Sequence, residues 1–191
     1  MTHALSGFDF LILPGRYNSS ASHWQSHWLA LFPNSGRVLQ ANWEQPDPKD
    51  WLRRLDDAVA SAPRKAVLIG HSLSTVAVVK WAGTASAENL SKVAGAFLVA
   101  PTDVENADPP FDAVRPFAPI PLAPLPFPTL VAASRNDPRV SFERAQSFAS
   151  AWQARLADVG ELGHIGNDAD LGIWPLGLLL LGQLLKTAGL E

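Results

Sequence analysis

Cysteine is absent from the 191-residue chain. No disulfide, thiolate nucleophile or cysteine-ligated metal is therefore available, and the composition suits a reducing, cytoplasmic setting. Charge is scarce too: 17% of residues are charged and the net charge is -3. That leaves no electrostatic case for nucleic acid or an anionic membrane as partner. The opening stretch "MTHALSGFDFLILPG" has neither a basic n-region nor a long apolar h-region, so no signal peptide is expected. The membrane-like stretch "GIWPLGLLLLGQLLK" is broken by Pro175, Gly177 and Gly182. It falls short of the ~20 apolar residues a span requires, and a buried terminal helix is expected instead. No internal repeat is present.

With 47% hydrophobic residues, the chain has the composition and length of one soluble domain over residues 1–191. Short apolar runs alternate with helical patterns throughout. Strands are expected at Phe8–Leu13, Arg37–Gln40, Lys65–Ile69, Val93–Ala100, Thr129–Ala133 and Leu156–Val159. Helices are expected over 19–32, with serines as caps, and over Pro48–Ala62, 73–82, 141–153 and Pro175–Lys186. Near-continuous apolar strands alternating with helices imply an α/β protein with a parallel sheet covered on both faces. Residues 101–128 carry nine of the 16 prolines and cannot continue a helix or a central strand. They form either a rigid surface connection or a loop near the active-site edge.

One stretch carries chemistry. In "KAVLIGHSLSTVAVVKWAG", the triplet His71-Ser72-Leu73 separates an apolar strand from an apolar helix. A sharp strand-to-helix turn exposes a serine hydroxyl at the sheet edge, provided small residues lie two positions to either side. Gly70 and Ser74 occupy those places, so the pattern is G-x-S-x-S rather than G-x-S-x-G. A serine that merely caps the following helix is the plainer alternative.

A serine nucleophile needs a base, and the base needs a carboxylate to orient it. His164, in "ELGHIGND", is the one histidine after Ser72 and follows the last expected strand. Asp137, in "SRNDPRV", follows the fifth strand at the same edge, and Pro138 biases it towards extended backbone. The alternatives are an Asp-Pro turn that only opens a helix, with Ser141 a competing cap, and Asp103 as a rival carboxylate. Leu73 N–H is the natural first donor of an oxyanion hole, and Arg16 N–H, after the first strand, is the candidate second. Gly15, Tyr17, His71 and Trp24 are candidates for the substrate pocket. The prolines and aromatics near 111–128, together with Trp24, Trp28 and Trp174, suggest an apolar pocket, although aromatics at helical spacing are more often core.

Together these segments resemble the small serine hydrolases of the α/β-hydrolase superfamily, of the YdeN and retinoblastoma-binding serine hydrolase kind. The resemblance is carried by "LPGRYNSSASHWQSHW", "ANWEQPDPKDW", "VLIGHSLS", "VAGAFLVAPTDVE", "FAPIPLAPLPFPTLVAASRNDPRVSFERA" and "LGHIGNDADLGIWPLG". It implies a minimal α/β-hydrolase fold with strand order 2-1-3-4-5-6. It further implies a catalytic Ser72, Asp137 and His164 and a hydrolase or esterase activity. Ser74 departs from the family's usual glycine, and the L-x-C-x-E peptide of retinoblastoma binding cannot occur without cysteine.

The expectation is a serine hydrolase of small carboxylic esters, with amides less favoured, requiring no cofactor and no metal. The alternative is a module on a hydrolase scaffold that binds a small ligand or a protein without turnover. Neither the natural substrate nor the oligomeric state, monomer or dimer, is written in the sequence.

Overall fold

A computed structural model describes residues 5–107 and 111–189. Its centre is a six-stranded sheet in the order β2-β1-β3-β4-β5-β6, with every neighbouring pair parallel. The strands are β1 Phe8–Leu13, β2 Ser35–Arg37, β3 Lys65–His71, β4 Val93–Val99, β5 Thr129–Ala133 and β6 Arg155–Asp158. The helices are α1 Trp24–Leu31, α2 Pro48–Ser61, α3 Leu73–Ala82, α4 Ala87–Lys92, α5 Phe142–Ala151 and α6 Pro175–Thr187.

The apolar strand runs follow from burial on both faces. Side chains alternate across a strand, so consecutive residues feed opposite layers. Leu11, Leu13, Leu68, Leu98 and Val131 join one core with Trp51, Leu55, Val76, Trp81 and Phe148 of α2, α3 and α5. Phe10, Ile12, Ile69, Phe97 and Leu130 join the other, with Trp24 and Trp28 of α1 and Leu180, Leu181, Leu184 and Leu185 of α6. Each core removes aromatic and aliphatic side chains from water, at about 1.5–3 kcal/mol apiece.

Helix starts obey local chemistry. Asp47 caps α2 by accepting from Lys49 N–H, with Pro48 in the first turn, and Ser141 caps α5 by accepting from Arg144 N–H. α1 starts later than the serine-rich stretch indicates, because His23 is its cap and Nδ1 accepts from Gln25 N–H. The terminal apolar stretch forms the 13-residue α6. Gly177 there lies under the Trp174 ring, where a Cβ would come within 2.1 Å of it. Among the described residues no helix is long and apolar enough to cross a membrane.

Three expectations shift. β2 occupies Ser35–Arg37 rather than Arg37–Gln40: its register runs Phe10 to Ser35 through Ile12 to Arg37, and the chain leaves the edge after Val38 N–H bonds the Ile12 carbonyl. β6 begins one residue earlier than expected, at Arg155. α4 was not foreseen; its six residues are mostly polar and are held by the Ser86 cap and by Asn89 Nδ2 donating to Asp56. In the proline-rich segment, Phe111, Val114, Phe117, Ile120 and Phe127 are buried in the first core, while residues 108–110 lie outside the described set.

Candidate active site

The carboxyl ends of the parallel strands bring the candidate residues together. Ser72 stands between β3 and α3 with φ 59° and ψ -126°, a left-handed backbone that few non-glycine residues adopt. Its N–H is held by the Val99 carbonyl at 2.9 Å, and its carbonyl accepts from Thr75 N–H at 3.0 Å. The strained turn is thus fixed from both sides, and the hydroxyl projects from the sheet edge.

His164 Nε2 lies 2.8 Å from Ser72 Oγ, and His164 Nδ1 lies 2.9 Å from both Asp137 carboxyl oxygens. The Asp137 side chain is 0% exposed, and its Oδ1 also accepts from Arg139 N–H at 2.8 Å. A carboxylate that accepts at Nδ1 fixes the tautomer: the ring proton sits on Nδ1, and Nε2 is free to accept from Ser72. The two loops are stitched together beneath this contact. Leu162 N–H donates to Ser134 Oγ at 2.9 Å, and Gly163 N–H donates to Asn136 Oδ1 at 2.7 Å. Asp103, the rival carboxylate, turns away and pairs with Arg144 at 3.2 Å.

Thr102, just beyond β4, was missed by sequence reasoning. Its Oγ1 lies 3.1 Å from Ser72 Oγ. Because the Ser72 proton is committed to His164, the Thr102 hydroxyl is the donor in this contact. The only sequence signal was its place, one residue after Pro101 at the end of a buried strand.

Gly15, in the loop after β1, packs directly against Ser72. A Cβ there would lie 2.6 Å from Ser72 Cβ and 3.0 Å from Ser72 Oγ, so only glycine fits. Asn18 N–H bonds the Gly15 carbonyl at 3.1 Å, while Arg16 N–H has no hydrogen-bond partner among the described residues. Leu73 opens α3, so its N–H lacks an intrahelical acceptor. Buried Gln25 joins the strand ends that carry these donors: its Nε2 bonds the Leu13 carbonyl at 3.1 Å and the Ile69 carbonyl at 3.0 Å. No sequence pattern pointed to Gln25.

A cleft of about 610 Å³ lies over Ser72. Arg16, Tyr17, His71 and Leu73 line it, together with Thr102, Arg139 and the 161–164 turn. Gly15 borders Ser72 without contributing a side chain. Trp24 does not line the cleft: it is 1% exposed and packs behind His71, a ring-centroid distance of 6.1 Å away. Its Nε1 donates instead to the Ile165 carbonyl at 2.8 Å, bracing the His164 loop from within. Trp28 and Trp174 are likewise core, so the tryptophans do not make an apolar pocket wall.

Behind His164 two further imidazoles pack in sequence, tilted or edge-on rather than stacked. Ring centroids are 5.1 Å apart for His71 and His164 and 4.9 Å for His23 and His71. His71 Nε2–H donates to the His164 carbonyl at 2.9 Å. Burial holds the His71 pKa well below 6.5, with His164 and His23 adding repulsion. Burial likewise lowers that of His23 to about 4, helped by Arg37, His164 and His27. Both rings are neutral at pH 7, so a proton taken up by His164 meets no cationic imidazole beside it.

A parallel sheet in this order with a serine on the strand-to-helix turn defines an α/β hydrolase. The chain belongs to the serine hydrolase family, whose profile matches residues 10–183. A YdeN-like hydrolase of Pectobacterium atrosepticum is 34% identical over 98% of this chain and 95% of its own, with a TM-score of 0.85. The ydeN product of B. subtilis shares the fold at TM-score 0.77 and 22% identity, over 93% of this chain and 98% of its own. The esterase domain of a Rhodothermus marinus protein shares the fold at 0.61 and 14% identity, over 93% and 85%. No curated protein sequence matches this chain.

Proposed function

We propose that this serine hydrolase cleaves small carboxylic esters through an acyl-enzyme formed on Ser72. The observation that carries the reading is the 2.8 Å contact between Ser72 Oγ and His164 Nε2, backed by Asp137. His164 takes the hydroxyl proton as Ser72 Oγ attacks the ester carbonyl, and Asp137 stabilises the imidazolium that forms. The carbonyl oxygen becomes an oxyanion that accepts from Leu73 N–H and Arg16 N–H. Collapse breaks the ester C–O bond, and the departing alkoxide leaves as an alcohol with the proton from His164. Water then attacks the acyl-serine, gives its proton to His164, and releases the carboxylic acid as Ser72 regains its hydrogen.

A short acyl group is the substrate we favour. The cleft is about 610 Å³, and charged Arg16, Arg139, Glu161 and Asp168 share its lining with Leu73, Val114, Pro138, Leu162 and Ala169. Apolar surface interrupted by four charged groups suits a short acyl chain better than a long one. The reaction needs a small-molecule ester and no nucleic acid, and we assign it to the cytoplasm, where a chain without cysteine loses nothing.

Turnover of a p-nitrophenyl ester series tests this. Acetate and butyrate esters are expected to be cleaved with higher kcat/KM than decanoate, and Ser72→Ala to abolish turnover. Saturable ester binding with no turnover by wild-type protein would overturn the proposal in favour of a non-catalytic binding module.

A further inference from the structure

Ser74 stands where the nucleophile turn usually carries glycine, and it is 1% exposed. Glycine there lets helix and strand approach closely. At the other end of the motif that demand is mild: a Cβ on Gly70 would meet Leu98 at 3.4 Å and the Ser74 carbonyl group at 3.5 Å, ordinary contact distances. The tight approach lies instead at Gly15, against Ser72 itself. The Ser74 hydroxyl reaches that same place, because Oγ donates a hydrogen bond to the Pro14 carbonyl.

Pro14 and Gly15 share one peptide group, and the next peptide carries Arg16 N–H. The β1 loop is therefore held at two consecutive peptides, the second of which carries that donor. Ser74 fixes the peptide before it, and Asn18 N–H fixes the Gly15 carbonyl at 3.1 Å. In a trans peptide the N–H points opposite to the carbonyl, so fixing the Gly15 carbonyl also fixes the direction of Arg16 N–H. The other oxyanion donor, Leu73 N–H, is on the residue immediately before Ser74. One side chain thus joins the two backbone segments that carry the two donors.

We propose that Ser74 is a positioning residue that sets the spacing between the Leu73 and Arg16 N–H groups. It does so through its hydrogen bond to the Pro14 carbonyl, and it replaces the usual glycine for that reason. The inference rests on these two N–H groups forming the oxyanion hole. Ser74 touches no substrate. Its effect falls on the transition state and the tetrahedral intermediate rather than on bound substrate, because the ground-state ester has no oxyanion.

The test compares wild type with Ser74→Ala, which keeps the Cβ and removes the hydroxyl, and with Ser74→Gly, which restores the usual residue. Intact sites are first counted by end-point fluorophosphonate labelling. With p-nitrophenyl butyrate, both variants are expected to lose between about 10-fold and 100-fold in kcat, with KM within about 2-fold of wild type. The Ki of an alkyl trifluoromethyl ketone, which forms a tetrahedral oxyanion on serine, is expected to rise by the factor by which kcat/KM falls. A purely structural role would lower the count of intact sites and leave kcat per site and Ki unchanged; that result overturns the inference. So does a rise in KM at constant kcat. If these results come with wild-type turnover and labelling intact, the positioning role fails alone. If wild type itself neither labels nor turns over, the hydrolase reading fails and takes this inference with it.

Discussion

Gly15 and Ser72 stand so close that a Cβ on Gly15 would lie 2.6 Å from Ser72 Cβ. This contact sets the β1 loop directly against the nucleophile turn, with no room for a side chain between them. Gly15→Ala must push the two apart, and overpacking of this kind costs about 1–3 kcal/mol. Moving Arg16 N–H away from the reacting carbonyl is expected to lower kcat by about 10²-fold, with the protein still folded. Steady-state kinetics beside a thermal melt check this; unchanged kcat would show that the loop carries no donor.

Thr102 donates to the nucleophile oxygen at 3.1 Å. Thr102→Val preserves shape and removes that donor, so Ser72 Oγ loses a bond worth about 0.5–1.5 kcal/mol. The expected result is a fall in kcat of about 2-fold to 12-fold with KM little changed. Thr102→Ser is expected to retain wild-type kcat. Equal losses in Val and Ser variants would contradict the role given to the hydroxyl.

The buried histidines predict a stability profile. The His23 pKa is about 4 in the folded chain against an ordinary 6.5, so the unfolded chain binds more protons between those values. A depressed pKa means that stability is present above pH 6.5 and is lost as pH falls towards 4. Between pH 6.5 and 5 the loss attributable to His23 is about 1.5 kcal/mol. His71 acts in the same direction, since burial also lowers its pKa. Urea melts of wild type and His23→Asn, which keeps a cap acceptor, are expected to diverge by that amount over this window. Parallel profiles would contradict it.

The central strands were legible because both of their faces are buried, which writes them as apolar runs such as residues 66–69 within β3. The edge strand β2 is Ser-Gly-Arg, and the apolar Val38-Leu39 just beyond it drew the expectation past its end. Helix α4 is too short and polar to leave a periodic signal. At the site, the order of Ser72, Asp137 and His164 along the chain marked three side chains that do meet. Thr102, Gln25 and the bond of Ser74 left no pattern, because each depends on partners 30, 44 or 60 residues distant in sequence. Trp24 was misassigned to the pocket for a related reason. A helical aromatic stripe reads the same whether it faces a cleft or a core.

The most direct test of the central claim is the site and rate of covalent labelling by a fluorophosphonate, mapped by peptide mass spectrometry. The account predicts one adduct per chain, on Ser72, absent in Ser72→Ala. It also predicts that Asp137→Asn, which disturbs the tautomer of His164, cuts kcat by about 10⁴-fold. Labelling at another residue, or full reactivity in Ser72→Ala, would contradict it.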